Sequence, residues 1–283
     1  MKRRRFGWTG IEVPVVGQGT WELELVERDT ALAVLRRGIE LGMSHIDTAE
    51  LYGDGQVEAL VAEVIGGSSS LRSSVYLVSK VLAKNATRQG TLAACEGSLR
   101  RLKTSYLDLY LLHSYGEHPL EETISALEEL VRAGKIRAWG VSNFNVRKLE
   151  EALRIAGPRR IACNQVMYHP HFRAIERSLI PLCAANEIAV VAHTPFGDGR
   201  FPEPTSPAGL VIEELAREYG VSVRQVVLVW LMRHSNVFTI PKTTQLAHVE
   251  DNANAGGWTL TSEDMERLTR SLPEWQPATG RPA

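Results

Sequence analysis

The chain has 283 residues, 44% hydrophobic and 23% charged, with a formal net charge of −1. That suits a globular protein long enough to bury a large core, as one barrel-sized domain or two ordinary ones. The near-zero charge supplies no field for nucleic acid or an anionic membrane surface, and no apolar stretch reaches the length of a membrane span.

The basic start Met1-Lys2-Arg3-Arg4-Arg5 looks like the head of an export signal. Gly7, Thr9, Gly10, Glu12 and Pro14 break any apolar run behind it, so export is rejected and a cytoplasmic protein is expected. Gly7 and Thr9-Gly10 separate two short β-like runs, which predicts a hairpin outside the repeat that follows. The run 44–49 leads to a helix over Gln56–Ile65, ended by Gly66-Gly67. A strand over 75–80 precedes a helix over Arg88–Arg101 with Thr87 as its N-cap. Strand 107–113, a helix from Leu120 to Arg132 stopped at Gly134, strand 138–142 and a helix near 146–155 come next. Strand 162–167, helix 174–186, strand 188–194, helices 207–219 and 222–233, and strand 237–241 continue the alternation. A helix near 246–254, a short strand near 258–260 and a helix over 262–271 complete it.

About eight strand-then-helix units predict an α/β fold, a (β/α)8 TIM barrel with the N-terminal β-hairpin closing the barrel floor. No linker, low-complexity segment or charge block divides the chain, so residues 1–283 read as one domain. The Gly/Pro-rich loop 195–209 follows the sixth strand of this count and belongs on the catalytic face. Cys95, Cys163 and Cys183 lie far apart, with no CxxC pair or metal-spaced Cys/His cluster. They read as buried reduced thiols in a protein without a metal.

Four polar residues stand at or beside the ends of separate strands: Asp47, Tyr52, Lys80 and His113. On one face of a parallel barrel such residues read as catalytic. The chemistry fits a carbonyl reductase, which must deliver hydride to carbon and a proton to the oxygen that turns negative. Tyrosine ordinarily titrates near about pH 10, so it is a poor acid at neutrality and needs a neighbour that stabilises its phenolate. Lys80 supplies that charge, Asp47 holds Lys80 protonated, and His113 donates a hydrogen bond to the carbonyl oxygen.

The segments carrying these residues resemble the aldo-keto reductase family. They are Gly17-Gln18-Gly19-Thr20-Trp21, His45-Ile46-Asp47-Thr48-Ala49-Glu50-Leu51-Tyr52-Gly53, Val78-Ser79-Lys80, and Tyr106 through His113. Gly140-Val141-Ser142-Asn143-Phe144, Asn164-Gln165, Tyr168-His169-Pro170 and Ile240-Pro241-Lys242 follow in order. The resemblance implies an NADPH-dependent reductase of aldehydes and ketones, with NADH possible as cofactor and Tyr52 as proton donor. It implies that Ser142, Asn143 and Gln165 bind the nicotinamide carboxamide, and that Thr194, Pro195, Phe196 and Gly197 wrap the pyrophosphate. Lys242 and Thr243 match the 2′-phosphate binders, and Asp251 and Asn252 the residues at the adenine edge. Thr20 and Trp21 join the cofactor site, while Trp21, Tyr115, Phe196 and Trp275 are expected to wall the substrate pocket.

Three positions depart from the family pattern. His193 stands where many members stack a large aromatic residue on the nicotinamide, Ser114-Tyr115 follows the catalytic His where many have Trp, and His248 replaces an Arg at the 2′-phosphate. The short tail from Leu272 suggests an open pocket. The substrate expected is a small carbonyl compound, with no nucleic acid, membrane or obligate protein partner. The runner-up is a cofactor-binding regulatory subunit of the same superfamily with slow or no turnover.

Overall fold

Strands buried on both faces read as continuous apolar runs, because their alternate side chains enter two different cores. In the computed structural model, which describes residues 1–66 and 69–273, this is how the sheet is built. Tyr76, Val78, Leu109, Leu111, Cys163, Val191 and Phe238 fill the inside of a barrel. Their neighbours Leu77, Tyr110, Leu112 and Val190 face an outer layer of helices.

The chain opens with the antiparallel hairpin of β1 (Arg3–Arg5) and β2 (Glu12–Pro14). Phe6 between them is fully buried, with ring centroids 5.2 Å from Tyr76, 5.0 Å from Phe238 and 6.0 Å from His45. The hairpin therefore plugs the floor of the barrel, as expected. The barrel strands are β3 (Gln18–Gly19), β4 (His45–Asp47), β5 (Tyr76–Val81), β6 (Leu107–Leu112), β7 (Ile136–Ser142), β8 (Ile161–Met167), β9 (Ala189–His193) and β10 (Val237–Thr239). Each pairs in parallel with the next in sequence order. The ring closes where Val16 bridges Thr239 and Gly17 N donates to Thr239 O at 2.8 Å, with Gly19 N to Pro241 O at 3.1 Å. At this seam a Cβ on Gly19 would sit 2.7 Å from Ile240 O, and one on Gly17 2.7 Å from His45 O. Only a bare backbone fits there.

The outer layer comprises α1 (Arg28–Glu40), α2 (Gln56–Ile65), α3 (Ser69–Ser74), α4 (Arg88–Arg101), α5 (Leu120–Arg132), α6 (Val146–Ala156), α7 (Leu179–Ala185), α8 (Pro207–Tyr219), α9 (Val223–Leu231), α10 (Leu246–Ala255) and α11 (Ser262–Ser271). The Thr87 hydroxyl caps α4 by accepting from Gly90 N at 3.0 Å.

The eight strands are not the eight expected. Residues 258–260 form no strand. Trp258 instead stacks 5.4 Å from Tyr219 and donates its indole N–H to Gln225 at 3.1 Å, so this stretch is a packed connector between α10 and α11. The missing strand is β3, whose brevity and glycines make it read as loop. Loop 195–209 accordingly follows the seventh barrel strand. The expected helix 174–186 splits into a 3-10 turn at Ala174–Glu176 and α7, because Pro181 has no N–H and is tolerated only in a first turn. No strand or helix was expected over 28–40, where α1 lies.

Candidate active site

The C-terminal ends of the strands carry a polar ring over an apolar barrel. Asp47 ends β4, Lys80 lies near the end of β5, His113 follows β6, Ser142 ends β7, Gln165 is in β8 and His193 ends β9. Because side chains alternate, these residues share the inward face with the core residues beneath them. Above them opens a cavity of about 470 Å3.

At its base Lys80 is fully buried and spends its three N–H donors on Asp47 Oδ1 at 2.5 Å, Tyr52 OH at 2.9 Å and Thr48 O at 2.9 Å. The second Asp47 oxygen accepts from Gln165 Nε2 at 2.6 Å, and its backbone carbonyl accepts from Thr20 Oγ1 at 2.8 Å. Tyr52 stands edge-on to Trp21, centroids 5.0 Å apart, and to His113 at 5.9 Å. Asp47, Tyr52 and His113 all line the cavity, with Lys80 directly behind them.

Burial works against a charge on Lys80, yet Asp47 and Tyr52 outweigh it and raise the Lys80 pKa, so the ammonium persists. Burial raises the Tyr52 pKa above its ordinary value, and Lys80 offsets only part of that rise. This corrects the expectation that Lys80 brings the phenol below its usual range. Tyr52 is a protonated acid across neutral pH, and Lys80 acts by stabilising the phenolate that forms. Burial, with the Lys80 charge second, pushes His113 down to about 3. Its imidazole is neutral, and its buried Nδ1 has no protein partner. The same two causes take His193 down to about 4.

Around the base, Thr20, Trp21, Ser142, Asn143, Thr194, Pro195, Phe196 and Lys242 line the cavity with Gln165 and His193. His193 bonds Asn143 Oδ1 at 3.1 Å and Thr194 Oγ1 at 2.9 Å, while Asn143 Nδ2 donates to His113 O at 3.1 Å. Asn143 and Thr194 hold left-handed backbone, φ 60 and 55, a conformation that clusters at functional sites. Glu22, Asp198 and Ile240 also line the cavity and were not expected there. Asp198 lies within Gly197-Asp198-Gly199, a turn signal that pointed to the loop but not to the side chain.

The other expected residues lie elsewhere. Tyr115 does not line the cavity: its ring packs on Phe144 at 5.6 Å, with Lys148 over it at 4.8 Å, and its hydroxyl faces Glu151 at 3.4 Å. Gly197 adjoins the lining residues without joining them. Thr243 and Asn252 line a separate narrow cavity beside Gln18 and Gly19, where the buried Asn252 Oδ1 has no protein partner. His248 lies in the first turn of α10. Asp251 is turned toward α9, accepting from Ser222 Oγ at 2.6 Å and Gln225 Nε2 at 2.7 Å. Trp275 falls outside the described residues. Among the described residues no group of three or more His, Cys, Asp and Glu is placed to hold a metal ion, and no helix is long and apolar enough to cross a membrane.

A family model for the Aldo/keto reductase family matches residues 15–272. Curated relatives include methylglyoxal reductase YeaE of Escherichia coli, 41% identical over 96% of both chains. Glyoxal reductase of Bacillus subtilis is 36% identical, covering 92% of this chain and 89% of that one. Among solved structures, an aldo/keto reductase from Klebsiella pneumoniae in complex with NADP and acetate superposes with a TM-score of 0.90, at 41% identity over 98% of this chain and 97% of that one. By a match that runs nearly end to end and a shared barrel, the chain belongs to the aldo/keto reductase family and is an NADPH-dependent reductase of carbonyl compounds.

Proposed function

We propose that this protein reduces small aldehydes and 1,2-dicarbonyls to alcohols, with Tyr52 as proton donor. The observation that carries the reading is the Tyr52 hydroxyl 2.9 Å from the buried Lys80 ammonium, at the base of an open cavity. The similarity to a methylglyoxal reductase and a glyoxal reductase points to dicarbonyls as the substrate class. Trp21, edge-on to Tyr52, and Phe196 supply the apolar walls for so compact a substrate.

The residues present fit the cofactor. Ser142, Asn143 and Gln165 offer the hydroxyl and amide groups that a carboxamide needs, both donors and acceptors. Thr194, Pro195, Phe196 and Gly197 form the loop beside the pyrophosphate, with Thr20 and Trp21 opposite. Lys242, Thr243 and His248 gather at the start of α10, where a helix N-terminus favours a phosphate. The unpartnered Asn252 Oδ1 suits an adenine amino group, with Asp251 one residue away. His193, already bonded to Asn143 and Thr194, presents a fixed imidazole face to the nicotinamide.

Bound NADPH supplies a hydride to the substrate carbon. The chain's residues manage the oxygen. His113, neutral at working pH, donates a hydrogen bond that orients the carbonyl. Tyr52 gives up its proton as negative charge develops, and Lys80 stabilises the phenolate left behind. Asp47 keeps Lys80 charged, while Gln165 and Thr20 hold Asp47 in place. Residues 1–283 act as one catalytic domain in this reading, with no need for a protein or nucleic-acid partner. It works in the cytoplasm, where thiols such as the buried Cys95, Cys163 and Cys183 stay reduced.

The test is Tyr52→Phe, assayed with NADPH and methylglyoxal. Turnover is expected to fall by about 10²-fold or more, the range for losing a general acid. NADPH affinity, read by fluorescence quenching, should stay unchanged. Undiminished turnover would overturn the assignment. Tight NADPH binding by the parent protein, with no turnover on any aldehyde, dicarbonyl or sugar, would favour the regulatory-subunit alternative.

A further inference from the structure

Behind the catalytic base, outside the barrel wall, lies a second set of polar contacts that the reaction itself does not use. Glu58, in the first turn of α2, is fully buried, as is Ser79, whose side chain points outward from β5. Ser79 Oγ donates to Glu58 Oε1 at 2.6 Å, and Arg101 Nε of α4 donates to Glu58 Oε2 at 2.6 Å. Ser79 immediately precedes Lys80. Glu58 follows Tyr52 by six residues, through a turn in which Gly53, Asp54 and Gly55 all hold left-handed backbone, φ 54, 49 and 89. The Arg101 side chain lies against Gly55 so closely that a Cβ there would collide with it.

The two segments carrying Tyr52 and Lys80 are thus joined twice. Inside the barrel the joint is Lys80 Nζ to Tyr52 OH at 2.9 Å. Outside it is Ser79 to Glu58. The strained turn between Tyr52 and α2 is the natural place for slack, and Arg101 closes it by bonding Glu58 while lying over Gly55. A buried carboxylate is costly unless paired and hydrogen-bonded, and here both oxygens are used.

We propose that Glu58 is a positioning residue for proton transfer: acting through Ser79 and Arg101, it sets from outside the barrel the Tyr52–Lys80 geometry used inside it. The proposal rests on Tyr52 being the proton donor. A misplacement of about 1 Å at a catalytic group is enough to cost on the order of 10²-fold in rate, so an outer brace of this kind has measurable leverage.

The experiment uses the full-length chain with NADPH and methylglyoxal, well below each variant's melting temperature. Ser79→Ala removes the hydroxyl but leaves the Glu58–Arg101 pair, and Ser79→Thr restores a hydroxyl. Glu58→Gln weakens both arms at once. Ser79→Ala and Glu58→Gln are expected to lower kcat by roughly 5- to 20-fold, with KM and the NADPH dissociation constant within about twofold of the parent. The alkaline limb of the kcat–pH profile should move upward, because a loosened Lys80 offsets less of the burial that raises Tyr52. Ser79→Thr should recover most of the lost rate.

If Ser79→Ala lowers thermal stability but leaves kcat and the pH profile unchanged, the brace is structural only and the proposal fails. Should Glu58→Gln not fold, the Ser79 pair decides the matter alone. A Tyr52→Phe control separates the two ideas. Lost turnover in Tyr52→Phe beside full turnover in Ser79→Ala sinks the positioning role alone, whereas full turnover in Tyr52→Phe sinks the function it rests on.

Discussion

Two buried acid–cation pairs join neighbouring strands, one at each end of the barrel, and they differ in what they leave open. At the N-terminal end Arg72 bonds Asp108 at 2.9 Å, Thr104 Oγ1 at 3.0 Å, and the carbonyls of Val75 and Tyr106 at 3.2 and 2.8 Å. Asp108 also accepts from Leu77 N at 3.0 Å and lies 3.6 Å from Arg137. Every direction is filled, so the pair locks β5 to β6 and nothing more. At the C-terminal end Lys80 is as thoroughly bonded, but one of its partners is the Tyr52 hydroxyl, and Tyr52 lines the cavity. A buried ion pair is weak evidence for stability in either place. What marks a catalytic pair is an exchangeable proton at its open end.

The sharpest way to break this comparison is to remove the cation from each pair. Lys80→Met should lower kcat near neutral pH by about 10²-fold or more, since the phenolate then forms without its counter-charge. Arg72→Met should leave kcat of the folded enzyme unchanged and lower stability by about 3–5 kcal/mol, the cost of stranding a buried carboxylate. Urea unfolding beside steady-state kinetics reads both; a tenfold kcat loss in Arg72→Met would erase the distinction. Removing the acid is milder. Asp47→Asn should cost kcat about tenfold, as the ammonium loses its strongest partner, while Asp108→Asn should move only the melting temperature.

A third prediction compares the two ends by acid stability. His45, in the closed end, is fully buried and pushed down to about 4 by burial. Between its ordinary value of 6.5 and that depressed value, the unfolded chain takes up a proton that the folded chain refuses. Stability should therefore rise with pH through this window and be lost as pH falls through it, by up to about 1.4 kcal/mol per pH unit from this histidine. His45→Leu should flatten the slope, measured by chemical denaturation from pH 4 to 7. An unchanged slope would show that His45 titrates alike in both states.

The smallest effects belong to the rim of the cofactor site. Lys242→Met should weaken NADPH by about tenfold while sparing NADH, because a partly solvated charge-assisted bond is worth no more than about 1.5 kcal/mol. His248→Arg should strengthen NADPH a few-fold. Equal losses for both cofactors in Lys242→Met would place that lysine away from the 2′-phosphate.

Local signals foretold most of this molecule. Thr87 capped the helix it was expected to cap, and the ends of α2, α4, α5, α8 and α11 fell where periodicity, caps and glycines placed them. The strand ends carrying Asp47, Lys80 and His113 were readable because buried strands in this barrel are unbroken apolar runs with a polar stop. What escaped the sequence depends on neighbours distant along the chain. β3 is a strand only because Ile240 and His45 press on its flanks; its two residues have no strand propensity of their own. Tyr115 looked like a pocket wall from its place after His113, yet Phe144 and Glu151 draw it away. Gln165 was matched to the cofactor, while its bond to Asp47 across 118 residues had no local trace.

The closing seam of the barrel also sets a timetable. Phe6 meets Phe238, and Val16 meets Thr239, across more than two hundred residues of chain. On a ribosome β3 waits, unpaired on that side, until β10 has emerged, and the floor plug has no complete socket before then. Contacts so remote in sequence delay folding, since loop closure must come before they can repay it. The Asp47–Lys80–Tyr52 cluster, spanning only residues 47–80, can assemble early, while the ring that shelters it closes among the last events. For this barrel, release of the nascent chain and completion of the fold should fall close together in time.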